Sequence, residues 1–269
     1  MNKVLDVQNL HVSFDTYAGE VKAVRGVTFS LSEGEVLAIV GESGCGKSVT
    51  AQTIMKLNPM PPARIKEGSI DLCGEDIVAA NEKKMQDIRG RLVSMIFQDP
   101  MTCLNPTMKV GKQITETLHK HKKLSGAKCR EEAIRLLKLV QIPNAEERAD
   151  QYPHEFSGGQ RQRISIARAL ALSPKFIVCD EIVSALDVSI QAQVVSLMMK
   201  IQEELDLTYI FIGHDLSVVR HISDQVAVLY LGKIMELTDS DELYRTPLHP
   251  YTQALISAAP IPNPTVDRT

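Results

Sequence analysis

From Val4 to Phe14 apolar and polar residues alternate, the period-2 signature of a half-buried strand. The pattern returns from Val21 to Leu31 after Tyr17-Ala18-Gly19, predicting two strands around a turn. Val36 to Val40 is continuously apolar instead, as in a strand covered on both faces. It runs into GESGCGKS at 41–48, where a helix is expected from near Lys47 to about Leu57. NPMPPARIKEG then reads as a proline-rich connection.

Leu92 to Phe97 reads as another buried strand. Between Val110 and Leu172 the period turns helical, with KQITETLHKH, REEAIRLLKLV and QRQRISIARALAL as amphipathic stretches. Strand patterns return at Phe176 to Cys179, Tyr209 to Ile212 and Gln225 to Leu231, with a helix near Ile190 to Leu205. Helices bracketed by strand-rich segments predict a lobe inserted into an α/β core. The end, TPLHPYTQALISAAPIPNPTVDRT, reads as a short helix and a proline-rich tail, with HPY packing that tail on the core.

Composition narrows the classes. With 44 % hydrophobic and 23 % charged residues, the chain of 269 can bury a substantial core. A net charge of −3, 4 % aromatic residues and no Trp argue against nucleic-acid binding. The five cysteines lack paired metal-type spacing and fit a reducing compartment. No apolar run reaches the roughly 18 residues that span a bilayer, so a membrane role is expected to come through a partner. His119 and His121 in LHKHKK read as a solvated helix end.

Two segments carry chemistry. GESGCGKS matches the phosphate-loop pattern at Gly41, Gly46, Lys47 and Ser48. Glycines permit backbone torsions that turn successive N–H groups inward, and a helix N-terminus adds partial positive charge. Lys47 would meet the β and γ phosphates, and the Ser48 hydroxyl could ligate Mg²⁺. FIVCDE at 176–181 ends a buried strand in two acids: Asp180 for the Mg²⁺ shell, Glu181 as general base toward the attacking water. FSGGQ at 156–160 opens the last basic helix pattern and looks like a second anion clamp, far along the chain from the first.

In order, GESGCGKS, Gln98 in MIFQDP, FSGGQ, FIVCDE, SALD at 184–187 and His214 in FIGHD resemble the motifs of an ATP-binding-cassette (ABC) ATPase. The resemblance covers nearly the whole chain. It implies a P-loop NTPase (RecA-like) α/β core, 1–100 and 173–250, with an N-terminal antiparallel β-subdomain. A helical signature subdomain, 101–172, and a tail, 251–269, complete the expected division. It also implies ATP and Mg²⁺ as ligands and a head-to-tail pair of cassettes, each ATP lying between one subunit's phosphate loop and the other's signature.

Carried over residue by residue, Gly41, Ser43, Gly44, Cys45, Gly46, Lys47, Ser48 and Val49 would hold phosphate. Ser157, Gly158, Gly159 and Gln160 would face the partner's nucleotide. Gln98 would sense Mg²⁺ and water, His214 would orient Glu181, and Asp187 would cross the interface. Phe14 falls where the family stacks adenine, with Tyr17 a nearby competitor. One departure stands out: Ile182 follows Glu181 where the family usually has proline, so Ile182→Pro is expected to raise stability by up to about 1 kcal/mol.

FQDPMTCLNPTMKVGKQI, YPHEFSGGQRQRISIARALALSPKFIVCDE, SALDVSIQAQ and LHPYTQALISAAPIPNP resemble importers of oligopeptides, dipeptides and nickel. That resemblance implies a peripheral subunit at the cytoplasmic face of the membrane. Its partners would be a second ATPase subunit, two permease subunits and, indirectly, an extracytoplasmic solute-binding protein. The alternatives are a soluble ABC ATPase outside transport and a nucleotide-binding regulator. The segment 49–155 carries no sustained heptads of the kind chromosome-type relatives need, and Glu181 with His214 argues against a mere regulator.

Overall fold

The computed structural model describes residues 2–122, 124–184 and 186–258. The alternating N-terminal segments form β1 (Lys3–Thr16) and β2 (Gly19–Ser32), paired antiparallel about the Tyr17-Ala18 turn. Leu5, Val7, Leu10 and Val12 are all buried on β1. The continuous apolar run is β3 (Val36–Val40), buried at every position. It leads through the glycine-rich loop into α1 (Lys47–Ile54).

α1 stops three residues short of the expected Leu57. Lys56 adopts φ 46°, a left-handed turn that ends the helix, and the Asn58 amide donates to Val49 O at 3.1 Å and Thr53 Oγ1 at 2.8 Å. The proline-rich connection is shorter than expected too, because Ala63 opens β4 (Ala63–Leu72). β4 pairs with β1 from Leu5↔Leu72 to Phe14↔Ala63, followed by the two-residue β5 (Glu75–Asp76). Its polar residues concealed the strand: Arg64 pairs with Asp15 of the neighbouring β1 at 2.6 Å, and Lys66 with Glu20 of β2, one strand further, at 3.3 Å. The antiparallel sheet runs β2-β1-β4-β5.

After α2 (Glu82–Arg91) and β6 (Val93–Ile96) come α3 (Pro100–Cys103), α4 (Val110–Lys122), α5 (Gly126–Leu139) and α6 (Ala145–Arg148). A 3-10 turn at Pro153–Glu155 precedes α7 (Gly158–Leu170). The chain then forms β7 (Phe176–Asp180), α8 (Val188–Leu205), β8 (Thr208–Ile212), α9 (Leu216–Ile222) and β9 (Gln225–Tyr230). It ends with β10 (Lys233–Asp239), α10 (Ser240–Arg245) and α11 (Pro250–Ala258). The proline-rich tail lies outside the described residues.

The second sheet runs β10-β9-β3-β8-β7-β6, parallel except for β10. Its two faces feed different cores. Val36, Ala38 and Val40 join the cluster that includes α4, α5 and α7, while Leu37 and Ile39 join the one under the antiparallel sheet. Helices on one side and a sheet on the other explain why β3, β7 and β8 carry no polar alternation. Among the described residues, no helix is long and apolar enough to cross a membrane.

Candidate functional site

The carboxyl ends of β3, β7 and β8 adjoin in the sheet, and each delivers one group of candidates. Open α/β sheets bind ligands along this edge. β3 delivers the phosphate loop. Gly41 takes φ 147°, and a Cβ there would sit 2.1 Å from Leu229 O. Gly46 takes φ 106° as the N-cap of α1, where a Cβ would meet Ala23 O at 2.6 Å. The loop is therefore moulded against β2 and β9, and only glycine fits these positions.

Ser43 and Gly44 lie exposed on its outer side; Cys45 is buried, its N–H donating to Glu42 O at 3.3 Å, and Val49 packs on the core. Lys47 is 5 % exposed, and its Nζ donates to Gly41 O at 2.8 Å and Glu42 O at 3.0 Å. The ammonium thus bends over the loop it belongs to.

β7 delivers the acids. The Ser48 hydroxyl donates to Asp180 Oδ1 at 2.9 Å, joining the residues expected to share a cation. Burial pushes the Asp180 carboxyl up, with the Glu181 charge adding to it, against the Ser48 hydrogen bond and Lys47. A divalent cation would offset that cost. A hydroxyl and a carboxylate are hard oxygen donors suited to Mg²⁺, so the pair fits the ion, with phosphate and water oxygens left to complete its shell.

Glu181 stands at φ 49°, a conformation unusual outside glycine, with its N–H donating to Ile212 O at 3.0 Å. Gln98 Nε2 donates to Glu181 Oε2 at 2.9 Å and to Ser184 Oγ at 3.2 Å. Its amide nitrogen therefore faces the carboxylate, leaving the Oε1 as the atom available to a cation. Ser184 was not singled out as a site residue; its hydroxyl also donates to Glu181 O at 2.9 Å. Gln191 likewise holds this turn, donating to Val183 O at 2.9 Å and Leu186 O at 3.0 Å. Ser184 opens the SALD motif, and Gln191 falls in the longer stretch SALDVSIQAQ.

β8 delivers His214, which is exposed and shares a cavity of about 30 Å³ with Glu181, Ser184 and Gln191. Asp187 is the exposed N-cap of α8, makes no side-chain cap bond, and precedes Val188, which is 81 % exposed.

FSGGQ belongs elsewhere in the fold. Ser157 caps α7 by accepting from Gln160 N at 3.4 Å, while Gln160 Oε1 accepts from Ser157 N at 3.2 Å. Ser157 and Gly158 are exposed, and a Cβ at Gly159 would strike Ile190 Cγ2 at 2.6 Å. The second clamp thus lies against α8, with its helix N-terminus open to solvent.

The two adenine candidates differ sharply. Phe14 is half-buried against the core, whereas Tyr17 in the β1–β2 turn is 114 % exposed. His119 and His121 are exposed at the end of α4.

At Ile182 the structure adds a packing cost to the gain expected from proline. Its side chain is 1 % exposed within the core that includes α7 and α8. Proline would tighten the unfolded chain but remove buried carbons worth about 0.8 kcal/mol per CH₂. The two effects nearly offset, so Ile182→Pro is expected to change stability by less than about 1 kcal/mol in denaturant unfolding; a larger gain would mean that the chain constraint outweighs packing.

Comparison with known proteins extends these observations. Residues 24–184 match the family model described as ABC transporter, and residues 235–269 match that of the oligopeptide/dipeptide transporter C-terminal region. The chain is 55 % identical to the oligopeptide transport ATP-binding protein OppD of Bacillus subtilis, over 97 % of this chain and 73 % of that one. It is 48 % identical to OppF of the same organism, over 99 % and 85 %. Among solved structures, it resembles the dimeric, post-hydrolysis ATP-binding cassette MJ0796 bound to ADP and Pi. The TM-score is 0.78 at 26 % identity, covering 88 % of this chain and 98 % of that one.

Proposed function

Because the chain belongs to the ABC transporter family of ATPases, we propose that it powers uptake of oligopeptides or dipeptides as one of two paired cassettes on a pair of permeases. What carries the reading is the sheet edge, where Ser48 bonds Asp180 and Gln98 bonds Glu181. The peptide class rests on the match of residues 235–269 and on the names of the relatives.

In the proposed mechanism the loop amides and the α1 N-terminus receive the β and γ phosphates of ATP. Lys47 leaves the loop carbonyls and places its charge on phosphate. Ser48 and Asp180, with Gln98 Oε1, would hold Mg²⁺, which when bound neutralises phosphate charge. Glu181 Oε1, the oxygen that Gln98 leaves free, takes a proton from the attacking water. His214, from the adjoining strand end, keeps that carboxylate and the water in line.

Ser157, Gly158, Gly159 and Gln160 serve the nucleotide on the other subunit, and Asp187 meets that subunit from the exposed end of α8. The division into a core (1–100, 173–250), signature lobe (101–172) and tail (251–269) follows from these roles. Closure around two nucleotides moves the permeases by differential affinity for open and closed states. The chain sits peripherally at the cytoplasmic face, and an extracytoplasmic binding protein supplies the solute. The exposed Tyr17 ring has both faces free, and we assign it the adenine stack in preference to Phe14.

One titration tests the nucleotide site. Lys47→Ala should weaken ATP binding by tenfold or more, since roughly 1.5–3 kcal/mol attends a hydrogen bond to a charged group. Tyr17→Ala should weaken it by a smaller factor without lowering thermal stability. Unchanged affinity in Lys47→Ala would contradict the site itself.

A further inference from the structure

Between Glu236 and Tyr251 the chain makes a strap that returns to the phosphate loop. Glu236, on β10 and 9 % exposed, accepts from Leu248 N and His249 N, both at 3.0 Å. Burial works against its charge, but these amide bonds and the Thr252 hydroxyl leave the carboxyl below its usual range. His249 Nδ1 in turn accepts from Tyr251 N at 3.1 Å. The Tyr251 ring lies on Tyr230, at the end of β9, with centroids 4.4 Å apart. Its hydroxyl accepts from Glu42 N at 3.2 Å.

That N–H belongs to the peptide unit whose carbonyl is Gly41 O, the atom Lys47 Nζ holds at 2.8 Å. One peptide plane is therefore pinned from opposite sides, by Lys47 at its oxygen and by Tyr251 at its nitrogen. The plane flanks Gly41, which holds φ 147°, a torsion that glycine adopts without strain. Further along, Gly232 N donates to Cys45 O at 2.9 Å, so a second strut fixes the other side of the loop. Lys47 has three N–H donors to share among Gly41 O, Glu42 O and phosphate, and its hold on Gly41 O weakens as the ammonium moves toward phosphate. The Gly41–Glu42 plane then depends more on the Tyr251 anchor.

We propose that Tyr251 is a positioning residue for nucleotide binding: its hydroxyl holds the Gly41–Glu42 peptide in place as Lys47 is drawn to phosphate. The inference rests on the reading of residues 41–48 as the ATP phosphate loop. It gives the C-terminal strap a direct hold on affinity for ATP, beyond packing on the core. Burial raises the Tyr251 hydroxyl's pKa, against the Glu42 hydrogen bond, so the neutral phenol is the form that accepts this bond at physiological pH.

Tyr251→Phe removes the hydroxyl and keeps the ring on Tyr230, so folding should be preserved. In the transporter assembled from the full chain and its partners, KM for ATP should rise roughly three- to tenfold, as the net worth of one hydrogen bond implies. Maximal kcat should stay within about twofold, and the melting temperature of the free chain within a few degrees. An unchanged KM, or a loss confined to kcat or to melting temperature, would overturn the proposal. Lys47→Ala, titrated with ATP alongside, separates the two levels. If Lys47→Ala weakens binding and Tyr251→Phe does not, the positioning role alone fails; if neither does, the phosphate-loop reading fails with it.

Discussion

Glu181→Gln is expected to bind ATP as the wild type does and to hydrolyse it at least about a hundredfold more slowly, the usual range for losing a general base. The substitution keeps shape and hydrogen-bonding capacity. Gln98 Nε2, 2.9 Å from Glu181 Oε2, would find a carbonyl oxygen in its place, so the neighbouring geometry survives. The backbone also survives, because φ 49° at residue 181 is held by the bond from its N–H to Ile212 O and by Ser184, not by the carboxylate. What disappears is the basic oxygen. Nucleotide should then stay trapped between cassettes, and a dimer stable to size-exclusion chromatography should accumulate with ATP but not without it. Turnover near the wild-type rate would remove Glu181 from the role of base.

How much of this was legible from residues alone varies with the kind of constraint. The phosphate loop was legible because its backbone excludes a Cβ: Gly41 abuts Leu229 O and Gly46 abuts Ala23 O. The strands β3 and β7 were legible because a strand covered on both faces must be apolar throughout. β4 was not, since its pairing is supplied by β1 and its polar residues find partners on other strands. The end of α1 depended on a left-handed Lys56, which local periodicity does not reveal.

The site divides along the same line. Ser48 beside Asp180, and Gln98 beside Glu181, followed from motif order. Ile182 did not, because its burial is set by tertiary packing in the core that includes α7 and α8, which the local pattern of a turn does not reveal. Tyr251 was expected only to pack its segment on the core. That its hydroxyl reaches Glu42 depends on β9 and β10 returning the chain to the loop.

In the proposed dimer FSGGQ and the phosphate loop complete each other across chains. Ser157 is exposed at the open end of α7 and its segment packs on α8, while Lys47 opens α1 after the loop that follows the carboxyl end of β3. Ser157→Arg fills the clamp with a long cation, and Lys47→Ala empties the loop of its charge. A homodimer of either variant carries two damaged composite sites and should be inactive. In a mixed dimer one site joins an intact loop to an intact signature, while the other collects both defects. The decisive measurement is ATPase activity of the two purified variants, alone and mixed, over a range of protein concentrations, with differential tags to count mixed dimers. Activity should return on mixing, to about half the wild-type value per mixed dimer if the sites act independently, and should rise with concentration. If tagged mixed dimers form and no activity returns, each loop works with the signature of its own chain and the shared site is refuted.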